Sequence, residues 1–202
     1  MITCVFATNN PGKITELNAI SKQEGVEFIT LSDLRLVFEA EESGTTFEEN
    51  ALQKATETAA LLKASGHSEY IVLADDSGIE IDALNGQPGI HSKYFIDAKL
   101  TSKERNEKVL EMLANTSERA ARFVCVIACV TPDGKIFTTR SAIEGVVSET
   151  QKGENGFAYD PVFFIPELGK TMAEISREEK NNISHRGKAL RKMIKKLKKE
   201  VL

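Results

Sequence analysis

The chain has 202 residues, is 41% hydrophobic and 28% charged, and carries a formal net charge of −4 at pH 7. Such a chain is an ordinary globular protein, long enough to bury a core without disulfides. The net charge argues against a general nucleic-acid binder, and no apolar run approaches the length of a membrane span.

The first residues run from an apolar stretch straight into polar ones, with no basic segment and cleavage site, so no secretory signal is expected. Ile2 to Ala7 is predicted as a strand, ending in the turn residues Thr8-Asn9-Asn10-Pro11-Gly12. A helix follows on Ile14, Leu17, Ala19 and Ile20, broken at Gly25, and Val26 to Leu31 reads as a second strand. After the acidic stretch Glu39-Ala40-Glu41-Glu42, Thr46 with Glu49 three residues on predicts a capping box. The helix it opens spans about Phe47 to Ala64, and Gly66 stops it.

Ile71 to Ala74 is predicted as a buried strand carrying Asp75-Asp76-Ser77-Gly78 at its C-terminal end. Ile79 to Leu84 alternates like a half-buried strand. A helix is expected over Ser102 to Leu113, then strands over Arg122 to Thr131 and Lys135 to Val147, joined at Pro132-Asp133-Gly134. Val162 to Ile165 is a short strand. The final helix begins near Ser184, with Leu190, Met193, Ile194, Leu197 and Val201 as its apolar stripe and Lys195, Lys196, Lys198 and Lys199 as a solvated face. Cys4, Cys125 and Cys129 lie in apolar strand-like segments and are expected as buried thiols in a reducing cytoplasm. No repeat or linker appears, so one α/β domain over residues 1–202 is expected, with a mixed sheet.

Four stretches carry candidate chemistry. Thr8 to Lys13 lies between a strand and a helix, where free amides and the helix dipole suit phosphate; a polar turn with a surface lysine is the alternative. Adjacent Asp75 and Asp76 repel each other and lose hydration if buried, costs that a divalent cation offsets; a surface turn is the alternative. Glu41 and Glu42 are further candidate ligands, or simply a solvated charge run. Phe157, Tyr159 and Asp160 combine aromatics that can stack on a nucleobase with a carboxylate, and would otherwise anchor their loop in the core. Lys180, His185 and Arg186 stand around the start of the last helix, as site residues or as surface and salt-bridge groups.

The ordered set resembles the inosine triphosphate pyrophosphatase family, the non-canonical purine nucleoside triphosphate pyrophosphatases. It comprises Phe6-Ala7-Thr8-Asn9-Asn10-Pro11-Gly12-Lys13, Thr46-Phe47-Glu48-Glu49-Asn50-Ala51, Ala74-Asp75-Asp76-Ser77-Gly78, Pro88-Gly89-Ile90, Gly156-Phe157-Ala158-Tyr159-Asp160-Pro161, and Glu178-Glu179-Lys180 with Ser184-His185-Arg186-Gly187-Lys188. The resemblance covers essentially the whole chain. It implies an α/β fold with a long twisted mixed sheet flanked by helices, two lobes with a central cleft, a homodimer, a nucleoside triphosphate substrate and magnesium.

It further implies that Thr8, Asn9, Asn10, Pro11, Gly12 and Lys13 hold the triphosphate. Asp76 is the implied catalytic base, and the implied metal site draws on Asp75, Asp76 and one of Glu41 and Glu42. Ser77, Phe157, Ala158, Tyr159, Asp160, Lys180, His185 and Arg186 line the implied nucleotide pocket. Ala158 departs from the pattern, since glycine is common there, and Lys93 is either another phosphate contact or a surface lysine. Arg186, which only donates, suits the six-carbonyl of hypoxanthine and xanthine over the amino group of adenine.

Overall fold

The structure, a computed structural model, describes residues 2–200, for positions 11, 12 and 23 the backbone alone. The surroundings of positions 11 and 12, both expected to hold the triphosphate, and the place of Val201 in the last helix, fall outside what is described.

Strand β1 (Ile2–Phe6) leads into helix α1 (Pro11–Glu24) and strand β2 (Val26–Ile29). Helix α2 (Phe47–Ala64) precedes β3 (Ile71–Ile81), and α3 (Ser102–Met112) precedes β4 (Ala120–Val130) and β5 (Ile136–Val147). Short strands β6 (Phe163–Ile165) and β7 (Lys170–Thr171) are followed by α4 (Arg177–Ile183) and α5 (His185–Glu200). The strands make one sheet in the order β2-β1-β3-β4-β5-β6-β7. β1 is parallel to both β2 and β3, whereas β6 is antiparallel to β5 and β7, so the sheet is mixed, as the sequence predicts.

Two compact units divide the chain. Unit 1 comprises Met1–Asp76, Cys125–Ser141 and Arg186–Leu202; unit 2 comprises Ser77–Val124 and Ala142–His185. The core of unit 1 gathers Phe6, Leu17, Ile20, Phe28, Leu73 and Ile127 with the α5 stripe Leu190, Met193, Ile194 and Leu197. Lys195, Lys198 and Lys199 are exposed on the other side of α5, as the periodicity predicts, whereas Lys196, expected with them, is half-buried with its Nζ 5.3 Å from the Phe137 ring centroid. Cys4, Cys125 and Cys129 are buried free thiols, and burial pushes all three up, Cys4 to about 12. In unit 2, Ile79, Ile81, Val109, Leu113, Phe123, Val162, Phe163 and Met172 form a separate core. Among the described residues no helix is long and apolar enough to cross a membrane.

Thr46 caps α2 by accepting from the Glu49 amide at 3.1 Å, as expected. The Glu49 carboxylate reaches one residue further back, to the amide and hydroxyl of Thr45 at 2.7 and 2.8 Å. Full reciprocal capping boxes occur instead at Thr101 and Glu104 on α3 and at Ser176 and Glu179 on α4. One expectation needs correction. The aspartate pair does not end a strand: β3 runs unbroken from Ile71 through Asp75 and Asp76 to Ile81. Charged groups in a strand interior usually terminate it, but here each carboxylate meets its own cation.

Candidate active site

Successive side chains of a strand point to opposite faces, so Asp75 and Asp76 project apart, and the repulsion read from the sequence is relieved by the pleat. Their partners differ accordingly. Asp75, 1% exposed, accepts from Lys13 Nζ of α1 at 2.9 Å and from Arg186 Nε of α5 at 3.4 Å. Arg186, 2% exposed, also donates through Nη1 to Glu16 of α1. Asp76, 5% exposed, accepts from two α2 residues, Lys54 Nζ at 3.3 Å on Oδ1 and Asn50 Nδ2 at 3.1 Å on Oδ2.

These surroundings drive the two carboxylates apart in basicity. Burial alone would raise Asp75, but the charges of Lys13, Arg186 and Lys54 outweigh it and hold Asp75 well below the usual carboxylate range. Burial also raises Asp76, and there Lys54 and Asn50 offset it incompletely while Glu42 adds to it, so Asp76 sits above its ordinary value. Asp75 is thus a fixed anion, and Asp76 is the more basic of the pair. Divergent neighbours of this kind mark acid and base roles in active sites.

The loop before α1 is built to end a helix on polar atoms. Asn10 caps α1, its Oδ1 accepting from the Lys13 amide at 3.3 Å, while Thr8 Oγ1 accepts from the Asn10 amide at 3.1 Å. Asn9 Nδ2 donates to Phe38 O at 3.4 Å. Pro11 opens the helix, as its fixed φ favours, and the first turn holds no acidic residue to compete with an anion. Lys13 does not project from a surface turn; its ammonium is fixed on Asp75.

Lys54 Nζ lies 3.0 Å from Glu42 Oε1 as well as 3.3 Å from Asp76 Oδ1, so these two carboxylates converge on one cation. Glu41 beside them is exposed. Asp75, bound to Lys13 and Arg186, turns to other partners. Among the described residues no three His, Cys, Asp or Glu side chains gather as a cage. Glu42 and Asp76, which both meet Lys54, are the carboxylates here that could hold magnesium, a cation that commonly takes one or two carboxylates plus substrate phosphates and water.

Unit 2 holds a second constellation. Asp160 Oδ2 accepts from the Phe157 amide and from Lys180 Nζ, each at 2.7 Å, and Lys180 Nζ stands 4.6 Å from the Phe157 ring centroid. Gly156 is required beside them, because a Cβ there would fall 2.1 Å from Asp160 Oδ2. The two aromatics divide. Tyr159 is buried with its hydroxyl on Ser92 O at 2.8 Å, an anchor for the loop, whereas Phe157 is half-buried. His185 stacks on Phe123 with centroids 4.9 Å apart. Ser77 is half-buried within β3.

Ala158 adopts φ +55, the left-handed region where a Cβ costs about 1–2 kcal/mol and glycine fits better. Its carbonyl is held by Asn106 Nδ2 of α3 at 3.0 Å. Ala158→Gly is expected to raise stability by ~0.5–1 kcal/mol, the strain relieved being partly offset by greater freedom of the unfolded chain. Urea unfolding checks this, and a loss of stability would show that the Ala158 methyl packs usefully.

Asn50, quoted from the sequence within a motif but given no role, and Lys54, Glu16 and Asn106, not singled out at all, carry contacts of the site. For the first two a signal existed. The buried stripe of α2 reads Phe47, Asn50, Ala51, Lys54, Ala55, Thr58 and Leu62, and polar residues on a buried stripe demand a partner.

Fold and site define an open-sheet α/β protein with a buried ionic cluster on a central strand. The model of the Ham1 family matches residues 4–196, and the chain belongs to that family. It is 47% identical over 189 residues to a dITP/XTP pyrophosphatase of an Exiguobacterium species, covering 94% of this chain and 93% of that one. A Staphylococcus epidermidis dITP/XTP pyrophosphatase is 46% identical, with 93% and 92% covered. Among solved structures, the Staphylococcus aureus Ham1 protein superposes with a TM-score of 0.85 at 40% identity, covering 98% of this chain and 99% of that one. A nucleoside-triphosphatase / dITP/XTP pyrophosphatase from Mycobacterium abscessus gives 0.71 at 34% identity, covering 95% and 98%.

Proposed function

We propose that this chain hydrolyses the non-canonical purine nucleoside triphosphates ITP, dITP and XTP to the nucleoside monophosphate and pyrophosphate. The names of its relatives supply the substrate class. The observation that carries the chemistry is the split between Asp75, an anion locked by Lys13 and Arg186, and Asp76, a buried carboxylate of raised basicity.

In this mechanism Asp76 accepts a proton from the water that attacks the α-phosphorus. The bond from that phosphorus to the bridging oxygen breaks, and pyrophosphate leaves. The amides at the start of α1, with Lys13, hold the triphosphate in line. Lys54 steadies the Asp76 charge before reaction. Glu42 and Asp76 would hold magnesium, which would supply positive charge to the phosphate oxygens. Phe157 is the aromatic that would stack on the base, in a loop held by Lys180 and Asp160. Arg186, buried with Asp75 and Glu16 among its partners, is the proposed reader of the six-carbonyl and would exchange a partner for the base. A homodimer in the cytoplasm completes the proposal, in keeping with three reduced thiols; light scattering tests the dimer.

With magnesium and a panel of nucleoside triphosphates, inosine triphosphate should yield inosine monophosphate and pyrophosphate, with much slower turnover of adenosine triphosphate. Inosine diphosphate and orthophosphate as first products would place attack at the wrong phosphorus and sink the mechanism.

A further inference from the structure

The acidic loop does more than pass near α2; it is fastened to it rung by rung. Glu49 accepts from the amide and hydroxyl of Thr45 at 2.7 and 2.8 Å. Asn50 Oδ1 accepts from the Gly44 amide at 2.8 Å. Gln53 Oε1 accepts from the amide and hydroxyl of Ser43 at 3.3 and 3.0 Å. Lys54 Nζ donates to Glu42 at 3.0 Å. Loop residues 45, 44, 43 and 42 therefore meet helix residues 49, 50, 53 and 54 in antiparallel order. The fit is close: a Cβ on Gly44 would stand 2.7 Å from both Asn50 Oδ1 and Glu49 Cβ.

Two rungs extend beyond the loop. Asn50 and Lys54, one helical turn apart on the same face, each take one oxygen of Asp76. Asn50 is buried and spends both ends of its amide. The carbonyl oxygen faces a backbone N–H, and the amide NH₂ faces a carboxylate that can only accept while ionised, so this orientation is fixed by its partners. Lys54 meets both carboxylates as a point charge that fixes no direction, whereas the planar Asn50 amide sets direction at both ends.

We propose that Asn50 is a positioning residue that couples the Glu42 loop to Asp76, so that the base and the loop carboxylate keep a fixed relation through turnover. This rests on the reading of Asp76 as the base. The two ends of the amide are separable by substitution. Asn50→Asp keeps an acceptor for the Gly44 amide and, at a pH high enough to ionise it, turns the group facing Asp76 from a donor into an acceptor. Asn50→Ala removes both.

The experiment measures kcat and KM for inosine triphosphate with magnesium, and hydrogen exchange at Gly44 in the metal-free protein. In Asn50→Asp, Gly44 should exchange as slowly as in wild type, while kcat falls by about tenfold or more with KM within about threefold, because misorientation of a reacting group acts on the chemical step. In Asn50→Ala, kcat should fall likewise and Gly44 exchange should quicken by about tenfold or more. A purely structural Asn50 would lower the melting temperature of both variants and leave kcat of the folded protein unchanged, which overturns the proposal. So would unaltered Gly44 exchange in Asn50→Ala. If Asp76→Asn is itself active, the reading of Asp76 has failed; if Asp76→Asn is inactive and Asn50→Asp is normal, the coupling by Asn50 alone has failed.

Discussion

Asp76→Asn should lose ~10²-fold or more in kcat while melting at the same temperature or higher. The substitution keeps the shape of the side chain and an oxygen for Asn50 to donate to, but removes charge and basicity. A carboxylate whose folded pKa is raised contributes stability below its unfolded pKa and loses it as pH rises through the folded value. Burial raises Asp76 in this way, so at neutral pH its ionised form weighs against the fold, and a neutral amide relieves that penalty. Lys54 keeps Glu42 as a partner in the variant.

Asp75→Asn should behave oppositely. Asp75 is depressed, so its stabilisation is present at pH above its unfolded value and disappears only as pH falls into the acid range. Removing its charge at neutral pH leaves Lys13 and the buried Arg186 without it, a loss of ~3–5 kcal/mol by the usual cost of breaking a buried pair. Melts of both variants without magnesium, beside kinetics with it, separate the roles. Near-normal turnover in Asp76→Asn would move the base to another carboxylate.

What the sequence disclosed depended on whether the deciding partner was local. The α2 helix and its start were legible because Thr46 and the Glu49 amide are neighbours in the chain. The hairpin turn at Asp133-Gly134 was legible for the same reason: Gly134 takes the left-handed φ that the turn needs. The continuity of β3 was not, because Lys13, Lys54 and Arg186, which make two mid-strand aspartates tolerable, lie 62, 22 and 111 positions away. Helix α4 was missed because its run Arg177-Glu178-Glu179-Lys180-Asn181-Asn182 carries no apolar period; what announces it is the Ser176 and Glu179 capping box. The adjacency of Asp75 and Asp76 did not disclose which face each takes: the pleat sends the two carboxylates to separate partners, and Asp76 and Glu42, both among the expected metal ligands, converge on Lys54.

Arg186→Ala is expected to change both stability and selectivity. Arg186 is buried between Asp75 and Glu16, so its removal uncovers two buried carboxylates at a cost of ~3–5 kcal/mol. If Arg186 also donates to the six-carbonyl, the ratio of kcat/KM for inosine over adenosine triphosphate should fall by roughly ten- to a hundred-and-fifty-fold, the worth of a hydrogen bond from a charged donor at ~1.5–3 kcal/mol. Wild type lacks that contact with adenine, so the two substrates converge in the variant. Arg186→Lys guards against a variant too unstable to assay. It restores a charge beside Asp75 but not the planar fork, so stability should recover in part while the ratio stays low. An Arg186 that held phosphate would lower both substrates by a similar factor, since both carry the same triphosphate. One that served the fold alone would lower the melting temperature and leave the kinetics of the folded protein intact. A ratio unchanged within about threefold in Arg186→Lys would remove Arg186 as the reader, because a lost donor of ordinary strength shifts it further than that. The reading of the base would then pass to Lys180 and His185 in unit 2.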